Sequence, residues 1–448
     1  MALILKFSEA IGLTTSTIEV ISSFHSTCLD NERDLYVYLP PSYDSSTETR
    51  YPVLYMHDGQ HVFAGDQFGE SWEVHKTIDR LIGEDKLREV IVVAAASITH
   101  ARLLEYFHDN PGIRSVFGDG SIGERYERFF VEEVKPYVDS RYRTLPDREN
   151  TAIMGSSAGG VASYHIGFRR PDVFGMVGIL SPFFVLARTE GTEFVETPLY
   201  LKFDTHPPIR VWLDMGGAEG LMTVAHARDV AEELIDNGFV PGADLAFLLD
   251  SEAGHSQKDW ADRLHSPLLY FFGRIGAPRS LEVHGRTKVG LIGPATRLYP
   301  NARYDSGFET SLLRAEYKAL DPAIATVDPD GTIRPKSIGT AEIEVEFEGL
   351  RKRVTLEVVP EMSEMVEVDV TVEVAAETRD EDRVYVGFEI PRIKKGLYKG
   401  TFRLPRDLIF AVNVSKGFRS NEKGNVIRRF STSEDLDLRY KVEEWEHP

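Results

Sequence analysis

An α/β domain with a mostly parallel sheet covered by helices, followed by two small all-β sandwich domains, is predicted by three observations. First, 448 residues are too many for one ordinary hydrophobic core. Second, up to about residue 273, short apolar runs alternate with helix-period segments, the pattern of parallel strands with crossover helices. Third, beyond "GRIGAPRS", Gly273 to Ser280, the helical pattern stops and period-two strands take over. The expected boundaries are 1–275 for the α/β domain, 279–360 for the first sandwich and 364–448 for the second.

Taken in order, "RDLYVYLP" and "YPVLYMHDG" read as strands, and "SWEVHKTIDRLIGE" spaces its apolar residues as a helix does. "VIVVAAAS" is a buried strand, and "YERFFVEEVKPYVDSRY" is a helix expected to close at Pro136. "TAIMG" is a strand that runs into the helix "AGGVASYHIGFRR". "FGMVGILS" and "IRVWLDMG" are further strands, and "TVAHARDVAEELIDNG" is a helix with Gly238 at its end. Downstream, "AEIEVEFEG" and "KRVTLEVVP" read as strands, with a "DPDG" turn ahead of them. "VEVDVTVEV" places Val at every second position, the period of a strand with one buried face. The seam between the sandwiches is expected in "VPEMSEM", Val359 to Met365.

Charge and composition exclude several classes. A formal net charge of −20 repels a polyanion, so nucleic acid is not an expected partner. No run approaches the ~20 apolar residues of a membrane span, so no membrane partner is expected either. The single cysteine, Cys28, cannot form an intramolecular disulfide. The opening "MALILKFSEAIGLTTS" does not read as a signal peptide. A cytoplasmic location is therefore expected, the alternative being a secreted protein whose leader lies outside this sequence.

The chemistry concentrates in "TAIMGSSAGGVASYH", Thr151 to His165. A strand ending in Gly-x-Ser-x-Gly and passing straight into a helix is a nucleophile elbow. Around Ser157 the flanks are Gly155 and Gly159, whereas around Ser156 they are Met154 and Ala158. Large flanking side chains collide in such a turn, so Ser157 is the candidate nucleophile. Serine needs a base, and the base an orienting acid, in the chain order Ser, acid, His. His255 follows the strand "LAFLLD" and precedes a helix, which makes it the candidate base. His57 and His61 precede the serine, and with Gly59 between them they lack a helical metal-binding frame. No metal or other cofactor is expected. In "LDMGGAEG" two carboxylates compete for the acid role: Glu219 in the loop is preferred, and Asp214 within the strand is the alternative. The oxyanion hole needs two backbone N–H groups. Ala158 follows the nucleophile and supplies one, and Gln60, after the Asp58-Gly59 turn, is the choice for the other. In the 97–120 loop, Arg102, Glu105 and Tyr106 are candidates to line the acyl pocket, with Arg102 and Tyr106 preferred.

The segments "DLYVYLPPSYDSSTETRYPVLYMHDGQHVF", "GSSAGG", "RRPDVFG", "LDMGGAE" and "AGHSQKDWADRL" together resemble the esterase D group of α/β-hydrolases over about residues 17 to 273. That group includes enterochelin, feruloyl and acetylxylan esterases, S-formylglutathione hydrolases and mycolyltransferases. The resemblance implies Ser157 as nucleophile, His255 as base and Gln60 as an oxyanion donor. It also implies an acid at the last position of Gly-x-x-Asp, where this chain has Glu219. "LDPAIATVDPDGTIRPKSIGTAEIEVEFEGLRKRVTLEV" is similar to bacterial Ig-like domains of the second group. The final segment resembles a starch-binding-like sandwich, but where such modules carry an exposed Trp it reads "SKGFRSNEKGN", with Phe418. Tyr385, Phe388, Tyr398 and Phe402 are accordingly read as packing residues, not as a sugar platform. The expected function is a serine carboxylic-ester hydrolase acting on a small or carbohydrate-linked ester. Two alternatives stay open: an acyltransferase using the same triad, and a non-catalytic binding or scaffold protein. Any oligomer is expected to form through the C-terminal sandwiches.

Overall fold

The computed structural model describes residues 3–6, 16–65, 69–191, 193–417, 420–424 and 426–446, so Phe418 lies outside the described residues. Six strands pair in parallel at the centre of one large sheet. In spatial order they are Ile91–Ala95, Val53–Met56, Thr151–Ser156, Met176–Leu180, Arg210–Gly216 and Leu245–Asp250. Their near-continuous apolar runs follow from burial on both faces. Val53 and Tyr55 enter one hydrophobic core, while Leu54 and Met56 enter the other. Helices Ala158–Arg169 and Val224–Asp236 cover the first face, and Val74–Gly83 and His265–Phe272 cover the second.

The flanks correct the expectation of a mostly parallel sheet. Strands Thr17–Ser26 and Asn31–Leu39 add to one edge in antiparallel fashion. At the other edge Glu309–Ser311, Tyr299–Tyr304 and Pro278–His284 continue the same sheet, again antiparallel. The joint is the pair Phe247↔Ser311. Side chains reinforce it: Leu249 N donates to Ser311 Oγ at 2.8 Å, and Asn301 Nδ2 donates to Leu249 O at 2.8 Å. The boundary expected at 275–279 therefore marks a change of composition without a break in the sheet. The cause is the open edge of Leu245–Asp250, whose unpaired N–H and C=O groups need partners.

Helix closure at Pro136 is also corrected. The chain stays helical through Gly123–Arg128, a wider π-helical turn at Phe129–Val134, and Lys135–Arg141. Pro136 falls in the first turn of the last segment, where its missing N–H is tolerated.

Two β modules accompany this sheet, and the first draws one strand from ahead of Tyr299–Tyr304. In the first, strands Lys288–Ile292, Leu350–Glu361, Gly339–Phe347 and Glu316–Ala319 form a four-stranded sheet. In the second, Met365–Glu373 lies between Leu397–Pro405 and Leu436–Lys441. Val366, Val368, Val370 and Val372 are all buried, as the period-two pattern predicts. Phe388, Tyr398 and Phe402 are buried too, and Trp445 is buried with its Nε1 donating to Thr378 Oγ1 at 2.8 Å.

Two buried polar groups make the core testable. Arg228, fully buried on helix Val224–Asp236, donates from Nη2 to Leu313 O (3.0 Å) and Asp330 O (2.9 Å), fastening the first β module to the α/β region. Arg228→Ala strands both carbonyls and is expected to cost on the order of 3 kcal/mol in urea unfolding. A loss under about 1 kcal/mol contradicts that role. His57, 3% exposed, sits between Tyr126 Oη (3.0 Å from Nδ1) and Ser163 Oγ (3.1 Å from Nε2). Burial pushes its pKa down to about 3. The folded state therefore keeps it neutral where the unfolded chain protonates it, below about pH 6.5. Stability should fall as pH drops from about 6.5 towards 3, by about 1.4 kcal/mol per pH unit from this group. His57→Gln should remove that much slope between pH 6 and pH 4 in denaturant titrations, and an unchanged slope refutes the assignment.

Candidate active site

Strand Thr151–Ser156 passes into helix Ala158–Arg169 through Ser157 alone. Ser157 has φ 56° and ψ −126°, a region costly for any residue with a side chain. The turn is held from both sides. Ser157 N donates to Leu180 O at 3.0 Å, and Ser157 O accepts from Val161 N (3.2 Å) and Phe183 N (3.1 Å). The flanking glycine has a steric cause: a Cβ on Gly155 would lie 2.6 Å from His57 Cδ2 and 2.7 Å from Gly159 O. Ser156 is the last residue of the strand and is buried. The positive end of the helix dipole lies at Ser157.

His255 and Glu219 come together from two loops after adjacent strands. His255 Nδ1 lies 2.8 Å from Glu219 Oε2, with the Glu219 side chain fully buried and His255 30% exposed. The other carboxylate oxygen, Oε1, accepts from Gly216 N at 2.7 Å and from Ser181 Oγ at 2.5 Å. Ser181 is itself fully buried, with φ 39°. Its oxygen accepts from Trp260 Nε1 at 3.0 Å and from Arg263 Nη2. One donated and two accepted bonds use the whole capacity of a hydroxyl, so its orientation is fixed. Ser181, Trp260 and Arg263 were not singled out by sequence. A lone serine after a strand carries no local signal, and only the "GILS" strand end marks its place.

Asp214, the alternative acid, does not bond to His255. It is fully buried and accepts from Trp212 Nε1 (2.7 Å) and Arg263 Nε (3.0 Å). Burial pushes its carboxyl up, opposed by Arg263.

The Asp58-Gly59 turn leads into the short helix Gly59–Val62, with Asp58 left-handed at φ 54°. Gln60 is clamped through its side chain: Nε2 donates to Ser97 Oγ at 2.7 Å, and Oε1 accepts from Ser97 N at 2.9 Å. Among the described residues, neither Gln60 N nor Ala158 N has a backbone acceptor. Asp58 accepts two bonds from Arg102, Nε and Nη2 each at 2.7 Å, and one from Tyr106 Oη at 3.0 Å. Burial alone would raise the Asp58 carboxyl, but the Arg102 guanidinium outweighs it and holds it down at about 2.

These contacts revise the pocket residues. Arg102 lines the cleft with its charge committed to Asp58. Tyr106 is fully buried behind that pair, and Glu105 is buried against Arg33 at 2.7 Å. Neither reaches the cleft surface, because the helix Arg102–Tyr106 turns this face inward.

A cleft of about 300 Å³ is lined by Ser156, Ser157, Gln60, Arg102, Trp72 and Trp260, among others. His255 packs edge-on against Trp260, ring centroids 4.9 Å apart at 86°. Ser157 and His255 are not hydrogen-bonded to each other in this structure. Among the described residues, no group of three His, Cys, Asp or Glu is arranged to hold a metal ion, and no helix is long and apolar enough to cross a membrane.

Comparison with known proteins gives this arrangement a context. A bifunctional protein of Xylanibacter ruminicola described as endo-1,4-beta-xylanase/feruloyl esterase is 33% identical over 159 residues, which is 32% of this chain and 19% of that relative. This chain thus covers about a fifth of that relative's length. An uncharacterized Bacillus subtilis protein, YbbA, is 22% identical over 251 residues, covering 54% of this chain and 93% of the relative. Among solved structures, a ferulic acid esterase of Anaeromyces mucronatus in complex with ferulic acid is 22% identical, with a TM-score of 0.44, covering 60% of this chain and 94% of that one. A family model described as "Putative esterase" matches residues 26–271, more than half of the sequence, and the chain belongs to that family.

Proposed function

We propose that this chain is a serine carboxylic-ester hydrolase with Ser157 as nucleophile, His255 as base and Glu219 as acid. The observation that carries the proposal is Ser157 itself, strained at φ 56° in a cleft within an esterase-family domain. Ser157 Oγ attacks the ester carbonyl carbon while His255 Nε2 takes its proton. The carbonyl oxygen becomes an oxyanion that accepts hydrogen bonds from the Gln60 and Ala158 N–H groups. Collapse of the intermediate expels the alkoxide, which leaves with the proton from His255. Water, deprotonated by His255, then cleaves the acyl-enzyme and restores Ser157. Glu219 accepts from Nδ1–H throughout, which keeps Nε2 free as the base and stabilises the imidazolium. No Ser157–His255 bond is needed in the free protein for this reading, since such bonds commonly tighten only in the complex.

The substrate is a small or carbohydrate-linked ester. The cleft volume, about 300 Å³, suits a short or single-ring acyl group, and Trp72 and Trp260 supply an aromatic wall. The relative described as a xylanase/feruloyl esterase supports an aromatic acyl group on a plant polysaccharide. The two β modules are read as Ig-like and starch-binding-like, with a structural role. Burial of Trp445 and Phe402 leaves neither as a sugar platform.

Ser157→Ala should lower kcat by roughly 10⁶ and abolish fluorophosphonate labelling, while Ser156→Ala stays within a few-fold of wild type. The reverse pattern refutes the elbow assignment. Ser181→Ala removes a donor to Glu219 and should lower kcat about 10-fold with KM little changed, measured on p-nitrophenyl esters. Comparing p-nitrophenyl acetate, methyl ferulate and acetylated xylan tests the substrate class, and hydrolysis confined to long-chain acyl esters excludes it.

A further inference from the structure

The loop that carries Glu219 is bonded to the last β module. Gly220 N donates to Ile409 O at 2.8 Å, and Ala411 N donates to Ala218 O at 3.2 Å. Glu219 and Phe410 face each other as an antiparallel pair. The loop is thereby made an extra partner for strand Ile409–Val412, whose other edge pairs with Arg428–Ser431.

Side chains tighten the joint. Phe410 is fully buried and stacks on Phe430, centroids 4.5 Å apart at 9°. A Cβ on Gly220, which has φ 66°, would lie 2.6 Å from the Phe410 ring. Close packing at that distance leaves the loop no room to shift towards the module. Leu221 is buried in the module's own hydrophobic core.

The histidine loop is caught by the same strand pair. Ala218 N donates to Ala253 O at 2.9 Å, so the acid loop and the histidine loop are bonded to each other. Arg429, on the partner strand, pairs with Glu252 at 2.8 Å, three residues before His255. A Cβ on Gly254 would lie 3.8 Å from Ala411 Cβ.

We propose that strand Ile409–Val412 of the C-terminal module positions the acid–base pair, with Phe410 as its main positioning residue. Bonds from Glu219 to Gly216 N and Ser181 fix the carboxylate on the catalytic side, and the module sets the loop on the other side. Loosening the module should weaken the Glu219–His255 bond without altering the cleft that binds substrate. This inference rests on the proposed triad.

The test uses the full chain. Phe410→Ala empties the wedge, and Phe410→Leu restores most of its volume. Ala411→Pro deletes the N–H that reaches Ala218 and leaves the pairing with Arg428–Ser431 intact, since that N–H points away from it. Hydrolysis of p-nitrophenyl acetate is measured per folded molecule, with the folded fraction taken from circular dichroism. Both Phe410→Ala and Ala411→Pro are expected to lower kcat by about 10- to 100-fold with KM within about twofold, and Phe410→Leu to recover most of the loss. Wild-type kcat per folded molecule in Phe410→Ala or Ala411→Pro overturns the proposal, as does a loss only in proportion to unfolding. Failure of the triad itself is read separately, as a wild-type chain that fluorophosphonate does not label at Ser157.

Discussion

A carboxylate with no exposed surface must be met by donors on every side, and Glu219 is. Gly216 N and Ser181 Oγ bind one oxygen, and His255 binds the other. Removing any of these leaves a buried charge under-solvated, which is more costly than the bond itself. The arrangement is fixed further back by Arg263, which bonds Asp214 and Ser181 and lies 3.7 Å from Glu219. One guanidinium thus serves two buried carboxylates. Asp214 takes the closer contact, at 3.0 Å, while Glu219 keeps one oxygen for His255.

The cleft beside Ser157 is organised by a second ion pair, Asp58–Arg102. Its two parallel bonds hold the left-handed residue that starts helix Gly59–Val62, and so orient the Gln60 N–H. Arg102 therefore shapes a loop and has little charge left to offer a substrate. The two halves of the site are consequently rigid by different means: one through hydroxyl and amide donors to a carboxylate, the other through a forked salt bridge.

How much of this is visible in the sequence depends on how local each cause is. The turn at Ser157 is visible because its requirement is met within five residues, Gly155 to Gly159. The period-two valines of Met365–Glu373 are visible for the same reason. The choice between Glu219 and Asp214 needs the path of the loop past two glycines, and a Cβ on Gly216 would lie 2.5 Å from both Ala253 O and Glu219 Oε1. Ser181 contacts Trp260 and Arg263 from far along the chain, and nothing near it in sequence signals that. Tyr106 and Glu105 sit in a five-residue helix, too short for its pattern to say which face turns inward. The π-helical turn before Pro136 and the sheet continuation at Ser311 are both choices of bonding partner, made in three dimensions.

The continuation of the sheet past Leu245–Asp250 has a consequence for how the chain can be divided. A fragment ending near residue 275 would keep the elbow and both loops, yet lose Glu309–Ser311 and the two strands stacked beyond it. The naked flank of Leu245–Asp250 would then be a template for recruiting strands from other molecules. Self-association would begin within a few residues of the loop that bears His255. The modular look of the primary sequence thus conceals a solubility dependence, in which later strands act as a permanent cover for an earlier one.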